Sequence, residues 1–211
     1  MTVEDVNRFS FQDYLDYQDS VRKSLEDNDR TLFFNESFVH ASIVTKAIVD
    51  KAVQEETPIN MFCGKFSLFR ENFKKHLNEI KEKLTYDPVV IKEPEKFEMF
   101  DPYNDLVRSL KAFFSKGLKL DVIIANTIDG IKKDALWPGL FESNINNGNL
   151  FFQKLNVPFE IDHFMVSGHA FRKETSGEAK TAICSINRKE YADILQDSFV
   201  NLKRYSTEIA F

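Results

Sequence analysis

Five side chains in the C-terminal part of this sequence have types and spacing that could do chemistry: His163, Arg172, Glu174, Ser185 and Asn187. They fall in three short β-rich runs, 158–168, 169–175 and 178–187, separated by Gly168 and Ser176-Gly177. On an extended run the two-residue period puts Phe159, Ile161, His163 and Met165 on one face, with Glu160, Asp162 and Phe164 on the other. An imidazole in such an apolar row is a core or interface histidine with one hydrogen-bond partner, a phosphate contact, or a nucleophile. Arg172 and Glu174 share one face of their run, as an intrastrand ion pair or as a guanidinium fork for phosphate beside a carboxylate. Ser185 and Asn187 share a face with Ile183, from which they could meet His163 across the sheet. Asn187 equally suits a strand end or a cap for the last helix, and His169 suits a solvated turn.

Other constellations are weaker. His40 and His76 have no second histidine or carboxylate at ligand spacing, so no metal centre is expected. No P-loop, G-x-G-x-x-G or G-x-S-x-G pattern occurs, and no cofactor is expected. Cys63 and Cys184 stand far apart in apolar surroundings, as buried free thiols do. Residues 65–84 carry six bases, Lys65, Arg70, Lys74, Lys75, Lys81 and Lys83, against three glutamates. Such a run is a solvated face or a weak polyanion contact. Trp137, the one tryptophan, suits burial against the sheet or the lining of a pocket.

The elements that must position these residues follow from periodicity. The chain has 211 residues, 43% hydrophobic and 29% charged, which suits one globular domain with an appendage. The net charge is −5, and the first 36 residues, with nine acids and four bases, carry all of it. No overall field therefore attracts nucleic acid or an acidic membrane. No stretch approaches the roughly 18–20 apolar residues of a membrane span, and MTVEDVNRF lacks the apolar core of a secretory signal. A soluble cytoplasmic protein without a membrane partner is expected.

Residues 1–30 read as an acidic helical appendage, weakly capped by Thr2 and Asp5, with Phe11, Leu15, Val21 and Leu25 at helical spacing. It packs on the domain or a second subunit, or captures a protein partner. Residues 31–211 form the main domain. After a short LFF segment, Ser37 caps a helix with Phe38, Ala41, Val44, Ile48 and Ala52 on one stripe. INMFCG (59–64) reads as a buried strand ended by Gly64, and Ser67 as the cap of a helix carrying Phe69, Phe73, Leu77, Ile80 and Leu84. Residues 86–102, with Pro88, Pro94 and Pro102, read as an irregular insertion or lid. A helix with Leu106, Leu110 and Phe113 precedes LKLDVIIAN (118–126), a strand buried on both faces. Residues 127–148 suit a mobile loop with at most a turn or two of helix. NLFFQKL (149–155) begins the β-rich part, and a last helix carries Tyr191, Ile194, Leu195, Phe199 and Leu202. The fold class is α/β, a mixed sheet sandwiched by helices, with an antiparallel C-terminal half.

This order, with the early strand at 59–63, the helix and strand at 109–124 and the strand carrying His163, resembles one half of the phospholipase D-like superfamily over residues 37–205. The family signature is H-x-K, a downstream Asp, and G-S-x-N on consecutive strands. His163 stands at the histidine position, but Met165 occupies the lysine position and Ala170 falls where the aspartate is expected. Ser185-Ile186-Asn187 matches the S-x-N piece, with Cys184 in place of glycine. The resemblance implies a histidine that attacks phosphorus, a lysine and an asparagine that hold phosphate oxygens, and pairing of two halves about a two-fold axis. A homodimer and a bacterial source are implied with it.

Removing the lysine removes charge complementarity at the transferring group, ordinarily among the largest catalytic contributions. The expected function is therefore a phospholipase D-like domain with a degenerate centre, a binding or assembly module for a phosphate, nucleotide or nucleic-acid ligand. The enzyme alternative is a nuclease or phosphodiesterase with an atypical dimeric site. It would use His163 and Glu174 catalytically, with Arg172, Ser185 and Asn187 binding the ligand. A third alternative is an interaction subunit of a larger defence or toxin complex, with the acidic arm as its docking element.

Overall fold

A computed structural model describes residues 8–64, 66–126, 128, 130–158, 161–175 and 181–211. The sheet has eight strands: β1 (Phe33–Asn35), β2 (Ile59–Cys63), β3 (Leu120–Ile124), β4 (Leu150–Leu155), β5 (Phe164–Ser167), β6 (Ala170–Glu174), β7 (Ala182–Ser185) and β8 (Ser206–Glu208). Their spatial order is β1-β7-β6-β5-β2-β3-β4-β8. β2, β3 and β4 run parallel, and every other pairing is antiparallel. The α/β class with a mixed sheet and an antiparallel C-terminal half is thus the observed one.

Strand alternation divides the apolar residues between two layers. Met61, Cys63, Val122, Ile124 and Met165 face a large cluster fed by α1 (Phe11–Asp27), α2 (Phe38–Glu55), α3 (Glu71–Leu84) and α6 (Pro102–Ser115). Phe62, Ile123, Phe164, Val166 and Phe171 face a smaller cluster closed by Ala192, Leu195, Phe199 and Leu202 of α8 (Lys189–Lys203). Ser37 caps α2 as its sequence implies, its Oγ accepting from His40 N at 3.1 Å. Ile43, Ala47 and Val49 are buried as well as Ala41, Val44, Ile48 and Ala52 of the expected stripe, with Phe38 half-buried, because α1, α6 and the sheet enclose α2 from several sides.

The described part of the N-terminal segment is seated on the domain. Ser10, with Asp13 in a reciprocal capping box, starts α1, while Thr2 and Asp5 lie outside the described residues. Phe11 is fully buried, with its ring edge-on to Phe97 and Phe100, both at 5.3 Å. Those partners come from residues 86–102, expected to be irregular. That stretch instead holds two short helices, α4 (Pro88–Lys92) and α5 (Pro94–Met99), before α6. Pro88, Pro94 and Pro102 each open a helix, where the missing N–H has no intrahelical partner to lose. Asp87 ties the two regions together: Oδ1 accepts from Val89 N at 2.8 Å and Oδ2 from Phe11 N at 2.9 Å.

Two further segments differ from expectation. Ser67 begins a short 3₁₀ turn over Ser67–Phe69, and α3 starts only at Glu71, whose N–H is accepted by Asp134 Oδ2 at 3.0 Å. Asp134 lies in the stretch expected to be mobile. That stretch carries a 3₁₀ turn (Ile131–Lys133), a π-helical turn (Trp137–Phe141) and α7 (Glu142–Asn146), with Ile131, Trp137, Leu140 and Phe141 buried. Trp137 packs on Phe211, which in turn packs on Phe152 of β4.

The hairpin joining β5 and β6 turns at Gly168 and His169, with Gly168 at φ 52. A first central glycine at positive φ matches the twist of the strands it joins. The hairpin fixes the register in which Met165 stands opposite Arg172, Phe164 opposite Lys173 and Val166 opposite Phe171.

Candidate functional site

His163 immediately precedes β5, and Glu174 ends β6. The ladder continues one step beyond the assigned strand, since Glu174 N donates to His163 O at 2.8 Å. Their side chains therefore meet: His163 Nδ1 and Glu174 Oε2 are 2.9 Å apart, and Arg172 Nη1 donates to Glu174 Oε1 at 3.0 Å. The three form a chain running inward. Relative side-chain exposure is 23% for His163, 6% for Glu174 and 2% for Arg172.

Burial by itself would raise the Glu174 carboxyl, but the hydrogen bond from His163 and the Arg172 guanidinium outweigh it, so its pKa lies below the usual 4.5. The carboxylate thus stays ionised and fixes the imidazole. With the carboxylate as acceptor, neutral His163 donates a hydrogen bond from Nδ1–H to Glu174 Oε2 and keeps a lone pair at Nε2; the imidazolium donates from both nitrogens. An acceptor held on one ring nitrogen orients the other for a ligand or a proton.

Two residues at the carboxyl ends of parallel strands complete the setting. The β2–β3 ladder runs on through Ala125 N to Cys63 O (2.8 Å) and Asn126 N to Gly64 O (3.2 Å), which brings Asn126 beside Gly64. A Cβ on Gly64 would lie 3.1 Å from Asn126 Nδ2, 3.1 Å from His163 Cε1 and 3.5 Å from His163 Nε2. The Phe62 ring stands edge-on to the imidazole at 5.5 Å. Beneath it the Cys63 thiol is pushed up to about 12, chiefly by burial, and is no nucleophile. The crevice outside the carboxyl ends of parallel strands is where open α/β sheets place ligands.

The sequence-derived residues divide between two faces. His163, Arg172 and Glu174 come together. Ser185 and Asn187 do not join them, contrary to the expectation that they could meet His163 across the sheet. Ser185 stands opposite Phe171, on the face covered by α8, whereas Arg172 stands opposite Cys184 and Met165 on the other face. Its Oγ is fully buried without a hydrogen-bond partner among the described residues. Asn187 Nδ2 donates to Asn28 O at 2.7 Å and Arg188 Nε to Arg30 O at 2.8 Å, so both fasten the chain that follows α1. Arg172, 1% exposed, is also unlike an open phosphate fork, because its guanidinium is held beneath the surface by Glu174. Met165 is likewise 1% exposed.

Gly64 and Asn126 were missed as site residues. Their signal was positional: each ends an apolar strand run, INMFCG and LKLDVIIAN.

The remaining candidates are committed elsewhere. His40 is 4% exposed and stacked on Tyr17 at 4.1 Å, with Phe9 and Tyr14 edge-on. His76 lies flat on Phe38 at 4.7 Å. His169 occupies the hairpin turn, where its carbonyl accepts from Arg188 N. Among the bases of α3 and its approach, Arg70 faces Asp134 at 3.6 Å and Lys81 donates to Phe100 O. Among the described residues no group of three or more His, Cys, Asp or Glu could hold a metal ion, and no helix is long and apolar enough to cross a membrane.

No family model matches the chain, and no curated protein matches it significantly. Among solved structures it is similar to Nuc from Salmonella typhimurium, a phospholipase D family member. The identity is 12% and the TM-score 0.48, over 87% of this chain and 100% of that one. It is also similar to TrmBL2, an archaeal chromatin protein with a novel mode of DNA binding. Here the identity is 9% and the TM-score 0.45, over 94% of this chain and 69% of that one.

Proposed function

We propose that the chain is a phospholipase D-like domain that binds a phosphoryl group at His163 and acts as a binding module rather than an efficient phosphodiesterase. The observation that carries this reading is the His163–Glu174–Arg172 chain. It presents an oriented imidazole edge at the strand ends, yet it uses up its own buried guanidinium on Glu174. Cleaving a phosphodiester builds charge on the transferring group, and each missing donor at that charge costs a few kcal/mol of barrier, about 3. Met165 supplies no such donor, and Arg172 is turned inward to the carboxylate. Binding a ready-made anion asks for less: one or two hydrogen bonds from groups already in place.

A second reading, a phosphodiesterase or nuclease, has one observation in its favour. Glu174 holds His163 by Nδ1 in the way a carboxylate holds a catalytic imidazole, which leaves Nε2 as the nitrogen that would serve as nucleophile or base. On either reading a homodimer about a two-fold axis is the proposed assembly, the commonest closed arrangement for a single chain. A third, an interaction subunit, would use surfaces other than the part of the N-terminal segment already seated against Phe97 and Phe100.

Turnover and binding measured together separate the first two. Wild type and His163→Ala are incubated with bis(p-nitrophenyl) phosphate, single-stranded and duplex DNA, and RNA, and binding of the same ligands is followed by calorimetry. The module reading expects binding that depends on His163 with no turnover above buffer. Hydrolysis abolished by His163→Ala would instead establish the enzyme.

A further inference from the structure

β1 is the outermost strand of the sheet, paired with β7 on one side. Among the described residues no strand pairs with its other side. Backbone groups of a strand point alternately to its two edges, so part of the N–H and C=O groups of β1 face outward. Native sheets guard such an edge with charge, proline or a bulge. β8, at the opposite edge, ends in Glu208. β1 has no such guard: its sequence is FFN, its register with β7 is regular, and its middle residue, Phe34, is 58% exposed.

The apolar surface continues inward from that edge. Phe33 is buried in the large cluster, so alternation puts Phe34 on the other face, where Leu32 and Ile183 are half-buried. Ile183 stands opposite Phe34. On the same face Tyr191 of α8 stacks on Phe171 and is itself half exposed. α8 packs over β2, β4, β5 and β6, and the outer strand beyond them leaves Phe34 uncovered.

Charge says what covers it. The chain enters β1 from Arg30 and leaves it at Glu36, each exposed and held by an exposed partner, Glu190 and Arg8 respectively. Exposed pairs of this kind contribute little and exchange readily. A strand with a cation before it and an acid after it is complementary to itself in the antiparallel sense. Turned about a two-fold axis through Phe34, each Phe34 meets its counterpart and Phe33 lies opposite Asn35. The Arg30 end of each copy then lies against the Glu36 end of the other.

We infer that β1 is a pairing edge for a second copy of this chain, joining the two sheets into one across a two-fold axis. This rests on the homodimer proposed above and names its surface. It also sets the two sites apart: from β5 to its counterpart there are seven strand spacings, about 34 Å. Each His163 edge then serves its own ligand, whereas the family resemblance implies two histidine strands brought together. Pairing through so short a strand buries less than the roughly 800 Å² per partner of a standard interface, so the association is weak, on the order of 10–100 μM.

The test is sedimentation equilibrium of the full chain, up to several hundred micromolar. Wild type is compared with Phe34→Lys, Arg30→Glu and the exchange variant Arg30→Glu with Glu36→Arg, and circular dichroism confirms that each is folded. A second arm oxidises Phe34→Cys mildly beside Ile91→Cys, an exposed control position far from β1 in the chain. Cys63 and Cys184 are buried, so they do not compete for the oxidant. The expected result is a monomer–dimer equilibrium in wild type, weakened about tenfold or more by Phe34→Lys, which sets two like charges opposite each other. Arg30→Glu should weaken it and the exchange variant restore it, and Phe34→Cys should cross-link into dimers faster than Ile91→Cys. A dimer that Phe34→Lys leaves intact, with Phe34→Cys cross-linking no faster than the control, lies on another surface: the β1 edge is wrong and the homodimer stands. Wild type that stays monomeric throughout overturns both.

Discussion

Glu174 is the residue on which the site turns, because it is shared by an imidazole at the surface and a guanidinium below it. Removing the carboxylate takes from the buried Arg172 guanidinium its acceptor in Glu174, and breaking one side of a buried pair typically costs about 3–5 kcal/mol. We expect Glu174→Gln to lower the thermal midpoint sharply. The double variant Arg172→Met with Glu174→Gln should recover part of the loss, because the buried charge that Glu174 offsets goes with it; equal destabilisation by single and double variants would contradict the coupling. His163→Ala, at the exposed end of the chain, should change the midpoint little. The histidine and its two neighbours were legible as candidates from residue type and two-residue spacing. The separation of Ser185 from them was not, since face assignments on separate strands depend on register, and a shift of one residue exchanges every face. Gly64 and Asn126 each end a strand run that was legible, but their proximity was not: they lie 62 residues apart, and only the parallel β2–β3 ladder makes them neighbours.

At the scale of elements, α1 is bound to the domain through His40 as much as through Phe11. Burial among Phe9, Tyr14 and Tyr17 lowers the His40 pKa from 6.5 to about 4, against the pull of Asp13 and with a smaller push from Arg8. The folded state thus binds a proton less readily than the unfolded chain. Its contribution is complete above pH 6.5 and is lost as pH falls towards about 4, an amount on the order of 3 kcal/mol. Glu174, also depressed, adds loss in the same direction at still lower pH. Urea midpoints between pH 7.5 and 4.5 should therefore fall steeply in wild type and less steeply in His40→Phe; parallel slopes would remove His40 from the explanation. Deleting residues 1–30 should cost stability and expose Phe97 and Phe100 to a hydrophobic dye, whereas an unchanged midpoint would mark α1 as a detachable arm. Helix periodicity made α2, α3, α6 and α8 readable in advance. The short helices were hidden by prolines that break helices in their interiors but start them at the first position.

The whole molecule is an eight-stranded sheet whose parallel centre presents its carboxyl ends to the His163 edge and whose antiparallel flanks close it. β8 was not legible, because three residues of SerThrGlu carry no pattern that distinguishes a strand from a tail. It nonetheless covers the edge of β4, with Ile209 N donating to Phe152 O at 2.8 Å and Phe211 resting on Trp137. An uncovered edge invites pairing with another chain. Truncation after Tyr205 should therefore lower the thermal midpoint and produce concentration-dependent association by light scattering; a truncated protein that stays monodisperse and equally stable would show β8 to be dispensable.

The most direct test of the central claim is ¹⁵N spectroscopy of histidine-labelled protein titrated with a phosphodiester and with inorganic phosphate, followed alongside ³¹P signals over hours. His163 Nδ1 is expected to carry a hydrogen-bonded proton throughout, Nε2 of this one imidazole to shift on ligand addition, and the diester signal to persist. An unmoved Nε2, or a phosphorus–nitrogen adduct appearing as the diester disappears, would contradict it.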